Sequence, residues 1–593
     1  MVFKLDLYKA YDRVNWKFLQ DTLLKFKFPP VIISLIMFGL THSSNTILWN
    51  GSKTEAFTPV RGLRQGDPLS PYLFVLCMER LGAMIERQVN ISCWKPMQMV
   101  KNGTKLSHLF FADDVLLFAK ATTKSSSRVS RHIRENIAGC SQIQATDRFE
   151  KYLGFKMFHG KVRKQDYSDV YDRIASKLTS WKSRLLNKPG RVVLANSVIS
   201  SLPSYHMQIN WFPQGVCDDL DKIVRRFIWK GTGDKGMHLV GWNKITQPRK
   251  LGGLGVRRSR LQNVALLGKL IWEILHSPNK LWVKLFDDRY LKGQLPFNVR
   301  IYGGSAVWNS LVKAMNMLRD GFTLKIGDGN SSFWFDPWVF KERLSSVVPY
   351  VDIHDTSLKI QEVWTNGTWN LNQLYTSIPD YVRNAITSLQ PCIVNDLPDI
   401  WTWHDSSSGI YTAKDAYCWL LEPSPCNNLT GWQWIWRLHL PANIQFFIWQ
   451  LVHESIPTNA MLHHRQVCTS DLCHRCSLSS ETIDHCLFLY GDSVAIWNMC
   501  GLHSVPSTIQ GVDRLTWCKL LGKRYGNIVF VTLWIVWCAR NDFIFNNHRE
   551  STYTSVSKIH AIVNASSDAF SLMPAVSTST LNQRRVSWSR PAE

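Results

Sequence analysis

The sequence predicts an α+β chain, with a small antiparallel sheet near its N-terminus and mainly helices after it. Three observations predict this. His108-Leu-Phe-Phe-Ala-Asp-Asp-Val-Leu-Leu-Phe-Ala119 sets two adjacent carboxylates, Asp113 and Asp114, between two apolar runs. Burying one unpaired carboxylate is costly and burying two side by side is worse, so the pattern reads as strand, tight turn, strand. Elsewhere apolar residues recur at helical spacing, as at Leu73, Leu76, Cys77, Leu81 and Met84. Finally, 45% of the 593 residues are hydrophobic and 19% are charged, a composition that can fill several cores and excludes a disordered chain.

Taken in order, Phe3 to Trp16 opens with a strand-like segment that ends near Asp6. A helix is predicted from Asp12 to Lys27, because Pro29-Pro30 must stop it. A second helix is predicted over Val31 to Leu40, and Asn50-Gly51 then signals a hairpin turn. Arg61-Gly-Leu-Arg-Gln-Gly66 is a basic loop whose glycines permit close backbone approach to a ligand. Ser70 is predicted to cap the following helix, with Pro71 at its first position. The loop is either a phosphate or nucleotide contact or an ordinary loop-to-helix junction. The Asp113-Asp114 turn is either a site for a hard divalent cation or an acidic hairpin on the surface.

A net charge of +24 suits a polyanionic partner, most simply nucleic acid. The 14 cysteines follow no disulfide framework and Met1-Val-Phe-Lys-Leu-Asp6 has no apolar leader, so a reducing intracellular compartment, nuclear or cytoplasmic, is expected. The apolar run Ile528 to Ala539 is too short to span a bilayer and reads as a buried helix, so no membrane partner is expected.

Three segments, in order, carry a resemblance: Asp6-Leu-Tyr-Lys-Ala-Tyr-Asp12, Arg61-Gly-Leu-Arg-Gln-Gly-Asp-Pro-Leu-Ser-Pro71 and Phe111-Ala-Asp-Asp114. Together they resemble motifs A, B and C of the reverse transcriptase palm, in the wording of plant non-LTR (LINE-type) retrotransposons. The resemblance implies a palm of antiparallel sheet with helices on one face, a mainly helical thumb-like connection, and two-metal nucleotidyl transfer on an RNA template from a DNA primer or target. It assigns Asp6, Asp113 and Asp114 to magnesium (or manganese) binding and catalysis. Tyr11 matches the residue under the incoming sugar that disfavours a 2′ hydroxyl, and Arg64, Gln65 and Gly66 match the loop at template and nucleotide. Tyr152, Leu153 and Gly154 resemble the primer grip. Against the family pattern, the fingers region before motif A is absent and Lys120 to Ile137 looks like a deletion that removes motif D. The expectation is therefore a reverse transcriptase by descent that is inactive in this form. The alternative is a non-catalytic nucleic-acid-binding remnant, or a decayed element product with no selected function.

Beyond the palm, Asp166 to Pro213 is helical and basic, with Lys177, Lys182, Arg184, Lys188 and Arg191 around Trp181 and Gly190 as an interruption. These residues suit a nucleic-acid backbone or a solvated helix face equally. Helices from Leu261 to Tyr290 follow. Phe322 to Trp338 reads as two strands around a turn at Gly327 to Asn330, and Trp401 to Thr412 as another hairpin before a helix over Ala413 to Leu421. Pro423 to Asn428 reads as a linker, and the Ser/Thr-rich chain beyond Arg549 as a flexible tail. Cys473-His-Arg-Cys476 followed by His485 is metal-ligand spacing that suits zinc, set against reduced cysteines in a small tryptophan-held helical domain. It resembles the zinc-binding domain at the end of plant LINE-type reverse transcriptases. That family's fourth ligand, a cysteine, falls here on Tyr490. The expected division is a palm over 1–160, a basic thumb-like connection over 161–300, an aromatic-rich hairpin and helix region over 301–425, a zinc-binding-like domain over 426–505, and a helix and tail over 506–593.

Overall fold

The computed structural model describes residues 2–593 apart from 121–150, 158–161, 180–184, 422–430, 507–511, 572–593 and the positions 232, 234, 235, 300–302, 341, 366, 392, 394–396 and 405. The Lys120 to Ile137 junction beyond its first residue, Trp181, Lys182, Arg184 and the Pro423 to Asn428 linker lie outside the described residues. Helix and sheet are mixed, and the chain divides into one unit of residues 1–149 with 273–301 and another of 150–272 with 302–593.

The first unit runs β1 (Val2–Asp6), α1 (Trp16–Lys25), α2 (Pro30–Thr41), a hairpin of β2 (Leu48–Trp49) and β3 (Ser52–Lys53), α3 (Ser70–Asn90), a hairpin of β4 (Met97–Gln98) and β5 (Lys105–Leu106), then β6 (His108–Phe111) and β7 (Asp114–Phe118). β7 is central in an antiparallel sheet of order β1-β7-β6. Its Val115, Leu116 and Phe118 are buried, as the apolar run requires. Asn15 caps α1 by accepting the Phe18 amide at 3.1 Å, so the helix starts later than Asp12. Asn50 and Gly51 both have positive φ (51° and 85°), the geometry of a tight hairpin turn. α3 begins at Ser70 itself, so Ser70 is not the cap. Leu69 is the N-cap and no side chain caps the helix; Asp67 shapes the turn before it, its side chain accepting the Leu69 amide at 2.9 Å. α1, α2 and α3 close over Leu19, Leu23, Ile33, Leu40, Leu73, Phe74 and Cys77. A Cβ at Gly82 would come 3.1 Å from His108 Nε2, so glycine there lets α3 approach the sheet.

In the second unit, β8 (Lys151–Tyr152) and β9 (Phe155–Lys156) form a hairpin, and the helices Ser168–Thr179, Gln214–Lys230, Ala442–Val452, Arg514–Tyr525, Ile528–Asn546 and Thr552–Ser571 contribute to one large core. Gly190 does not interrupt a helix. Its amide donates to Asn187 Oδ1 at 3.0 Å inside the first turn of Lys188–Leu194. β10 (Phe322–Lys325) does not fold back on its neighbours. After the two-residue pair β11 (Trp364–Thr365) and β12 (Thr368–Trp369), it is β13 (Ile400–Trp403) that pairs with β10. Two predicted local hairpins are thus one long-range pair. The cause is Asp399, whose carboxylate accepts the amides of Gly327, Gly329 and Ser331 at 2.6, 3.0 and 2.7 Å and so wraps the Gly327 to Ser331 segment around itself.

Ile528–Asn546 extends past the apolar run to 19 residues, which makes it long and apolar enough to cross a membrane by length and composition. Here Val529, Phe530, Val531, Leu533, Ile535 and Val536 are packed inside protein. The segment beyond Arg549 is helical over Thr552–Ser571 rather than an irregular tail. Val556, Ile559, Ile562 and Val563 supply the stripe that packs it, and the buried Ser555 and Ser566 let it lie close.

Candidate functional site

Strand register brings the sheet carboxylates together. Asp6, the last residue of β1, lies directly opposite Asp114, the first of β7, and Phe111 of β6 flanks Asp114 on its other side. Opposed residues of an antiparallel pair have Cα atoms about 4.5–5.5 Å apart, so the two side chains leave the sheet as neighbours. Asp113 sits in the two-residue turn between β6 and β7, and its carbonyl accepts the Leu7 amide at 3.1 Å. Ala112 holds the turn at φ 51°, left-handed backbone that costs a side-chain-bearing residue free energy. Asp6 and Asp113 are exposed and Asp114 is half-buried, with Lys4 Nζ 3.9 Å away. The turn reading holds, with one acid in the turn and the other opening the strand.

The glycine-bearing loop is built onto the segment after β1. Gly62 donates to Val14 O and Leu63 to Tyr11 O, both at 2.8 Å, while Trp16 Nε1 donates to Gly62 O at 2.8 Å. Gly62 has φ 94°, and a Cβ there would lie 2.8 Å from Asp12 O, so only glycine fits. Beyond this anchor Arg64, Gln65 and Gly66 are exposed, and Arg64 Nη2 reaches Gly39 O at 3.3 Å. Tyr11 is half-buried and stacks on Phe74 with centroids 4.8 Å apart and planes 14° from parallel. Nothing in the sequence marks Trp16 as functional. A tryptophan at the first position of a helix looks like core, and only the fold shows it holding the loop.

Tyr152 ends β8, and Leu153 and Gly154 form its turn at φ 47° and 74°. Tyr205 Oη donates to Leu153 O at 2.8 Å, and the Phe155 ring stacks on His206 at 5.4 Å. Of the basic thumb-like residues, Lys177 is exposed. Lys188 lies over Trp229 at 5.9 Å, its pKa lowered by burial, and Arg191 Nε donates to Leu186 O at 3.0 Å.

The ligand atoms of Cys473, Cys476 and His485 lie within 4.8 Å of one another. Among the described residues no other trio of His, Cys, Asp or Glu does so, the sheet carboxylates included. Cys476 Sγ is 3.5 Å from His485 Nε2. Backbone hydrogen bonds from Leu478 and Ser479 hold the Cys476 thiol below its ordinary pKa, and burial keeps His485 below its own. Thiolate plus neutral imidazole is the state a zinc ion takes, so the donor set fits the ion. All cysteines among the described residues are free thiols.

The loop carrying this trio is locked from behind. Glu481, wholly buried, pairs with the buried Arg540, whose Nε donates to Glu481 Oε1 at 3.0 Å. Glu481 Oε2 also accepts the Asn459 amide at 2.9 Å, and Asn459 Nδ2 donates to Leu472 O at 2.6 Å, next to Cys473. Sequence reasoning missed Asn459, Glu481 and Arg540. They are far apart in the chain and no short pattern joins them.

A profile of the reverse transcriptase (RNA-dependent DNA polymerase) family matches residues 1–151, and one of the zinc-binding domain in reverse transcriptase matches 411–497. A protein of Arabidopsis thaliana named for ribonuclease H is 26% identical over 347 residues, 57% of this chain and 56% of the relative. A Pol polyprotein from the type-1 retrotransposable element R2 of Popillia japonica is 29% identical over 375 residues, 56% of this chain and 60% of the relative. The Pol polyprotein from the type-2 element R2DM of Drosophila melanogaster is 31% identical over 120 residues, 20% of this chain and 10% of the relative. This chain spans little more than half the length of the first two relatives. With both profiles matched in order and these relatives beside them, the chain is similar to the reverse transcriptases of non-LTR retrotransposons over its first 151 residues and over 411–497.

Proposed function

We propose that the first unit is the palm of an RNA-directed DNA polymerase, with Asp6, Asp113 and Asp114 as its metal-binding carboxylates. The observation that carries this is the register of Asp6 opposite Asp114, with Asp113 in the adjoining turn. An all-carboxylate donor set on neighbouring strands suits a hard cation, Mg2+ or Mn2+. When bound, two such ions supply the Lewis acidity that phosphoryl transfer needs at the attacking and leaving oxygens. The chain's own residues supply position, which is most of what this chemistry requires. Tyr11, braced on Phe74, offers a fixed ring to the incoming sugar and disfavours a 2′ hydroxyl. The loop anchored at Gly62 presents Arg64, Gln65 and Gly66 to template and nucleotide. The turn of Tyr152, Leu153 and Gly154 serves the primer end, and an RNA template and DNA primer are the partners. In the second unit Cys473, Cys476 and His485 hold zinc. The test is extension of a labelled DNA primer on an RNA template with Mg2+ or Mn2+. Incorporation by the wild-type chain but not by the D113N/D114N variant supports the polymerase reading over the inactive form expected from the sequence. No metal-dependent incorporation by the wild type overturns the polymerase reading.

One observation favours a second reading, nucleic-acid binding without synthesis. Among the described residues the three carboxylates are not drawn together as the Cys/His trio is, while the net charge is +24. On that reading the chain retains RNA or DNA with a steep salt dependence and without extension. Retention unchanged between low and high salt sinks it.

A further inference from the structure

Zinc in a structural site takes four protein ligands, whereas a site with three protein ligands keeps a position for an external donor. Cys473, Cys476 and His485 supply three. The two side chains best placed in sequence to complete the set are both committed elsewhere. Tyr490 stacks under the Arg475 guanidinium, whose carbon lies 3.8 Å from the ring centroid, and its ring centroid is 6.4 Å from that of His485. The Asp492 carboxylate lies close to its hydroxyl. Arg549 in turn grips Asp492, with Nη2 2.9 Å from Oδ1 and Nε 3.2 Å from Oδ2. Cys486 follows His485 directly but is wholly buried, and its thiol and carbonyl face Arg475 Nη2 at 3.5 and 3.2 Å. Ser493 Oγ also donates to that carbonyl at 2.9 Å, which fixes the turn. Arg475, which lies between the two cysteines of the trio, thus engages both residues that would have to move.

We propose that the metal at Cys473, Cys476 and His485 is held by three protein ligands and keeps its fourth position for a small external donor, a water molecule or, when present, a soft monodentate thiol. Cys476 and His485 are only partly buried, so a small ligand can reach them. This rests on the zinc reading above. It goes beyond it by making the site exchange-competent rather than closed.

The experiment uses the full chain, stripped of metal and reloaded with Co2+, whose visible spectrum reports the inner coordination sphere. One ion per chain binds with thiolate-to-cobalt charge-transfer bands, which carboxylate sites lack, and millimolar 2-mercaptoethanol shifts the visible bands of that ion in the wild type. Tyr490→Cys, which returns a thiol to the fourth position, abolishes that shift. It also tightens zinc, measured against a competing chelator, by at least the roughly 10-fold to 100-fold that even outer-shell partners contribute. Cys486→Ser leaves the wild-type spectrum and affinity unchanged. Wild-type bands that added thiol does not move overturn the proposal, as does loss of affinity in Cys486→Ser. Absence of metal binding in the wild type, with Tyr490→Cys folded by circular dichroism, sinks the zinc reading itself. That outcome is distinct from binding with a closed sphere.

Discussion

In the N-terminal sheet, Asp6, Asp113 and Asp114 stand on exposed or half-exposed backbone and are placed by strand register, with Lys4 beside Asp114 at 3.9 Å. In the segment from Cys473 to His485 the ligands are placed from beneath, by a buried ion pair between Glu481 and Arg540 and the Asn459 hydrogen bonds. The two regions place clustered polar groups by different physics, strand register in one and a buried ion pair in the other. Register tolerates a change of side chain, because backbone hydrogen bonds do the placing. A buried charge pair does not, because each partner is left without compensation when the other goes. The N-terminal acids can therefore be altered with the fold intact, and the C-terminal support cannot.

The sharpest way to break that contrast is Glu481→Leu. It leaves Arg540 buried without its partner and is expected to cost about 3–5 kcal/mol in urea unfolding. A loss below about 1 kcal/mol would show the pair to be no more than an exposed one. A somewhat smaller effect is expected at His453, where burial lowers the pKa to about 4 and Nε2 meets Gly252 O at 2.7 Å. Its folded pKa lies below the unfolded value near 6.5, so the neutral form is the native one. Stability is fully present above about pH 6.5 and falls as the pH drops toward about 4, by about 3 kcal/mol in all. His453→Gln keeps a donor for Gly252 O and removes the titration. Its stability should change less between pH 6.5 and 4 than that of the wild type, as followed by thermal melts. The smallest effect is expected in the sheet: D113N/D114N should cost no more than about 1 kcal/mol, because Asp113 is exposed and the half-buried Asp114 has only a long contact with Lys4 at 3.9 Å. A large loss there would mean that the carboxylates themselves hold the turn.

Legibility in the sequence followed distance along the chain. The Asn50-Gly51 hairpin, the helix stop at Pro29-Pro30 and the acid turn are local, each set by neighbours within a few residues, and each appears where expected. The membership of Asp6 in the same sheet as Asp114 is not local, and it came from the order of three motifs rather than from spacing. Where no motif existed the reading failed. β10 and β13 pair across more than seventy intervening residues because Asp399 gathers three amides, and Asp399 looks like any turn aspartate. The helix Thr552–Ser571 was hidden by serine and threonine, which disfavour helix in isolation but suit close packing against a large core. Cys473, Cys476 and His485 were visible as spacing, while the stacking of Arg475 on Tyr490 needed coordinates.

The order β1-β7-β6 also bears on how the protein is handled in solution. An outer strand offers unpaired amides and carbonyls to any other extended chain, a route to aggregation that charged side chains along the edge oppose. Among the described residues β1 is such a strand, and its exposed positions carry Val2, Lys4 and Asp6. The carboxylate assigned to nucleotide chemistry is thus also one of the two charges that keep this edge from recruiting a neighbour. Neutralising Asp6 weakens that defence, whereas Asp113 lies off the edge in the turn. Substitutions at Asp113 and Asp114 therefore give the cleaner test of the proposed metal-binding role, and Asp6→Asn should be read only alongside a light-scattering record.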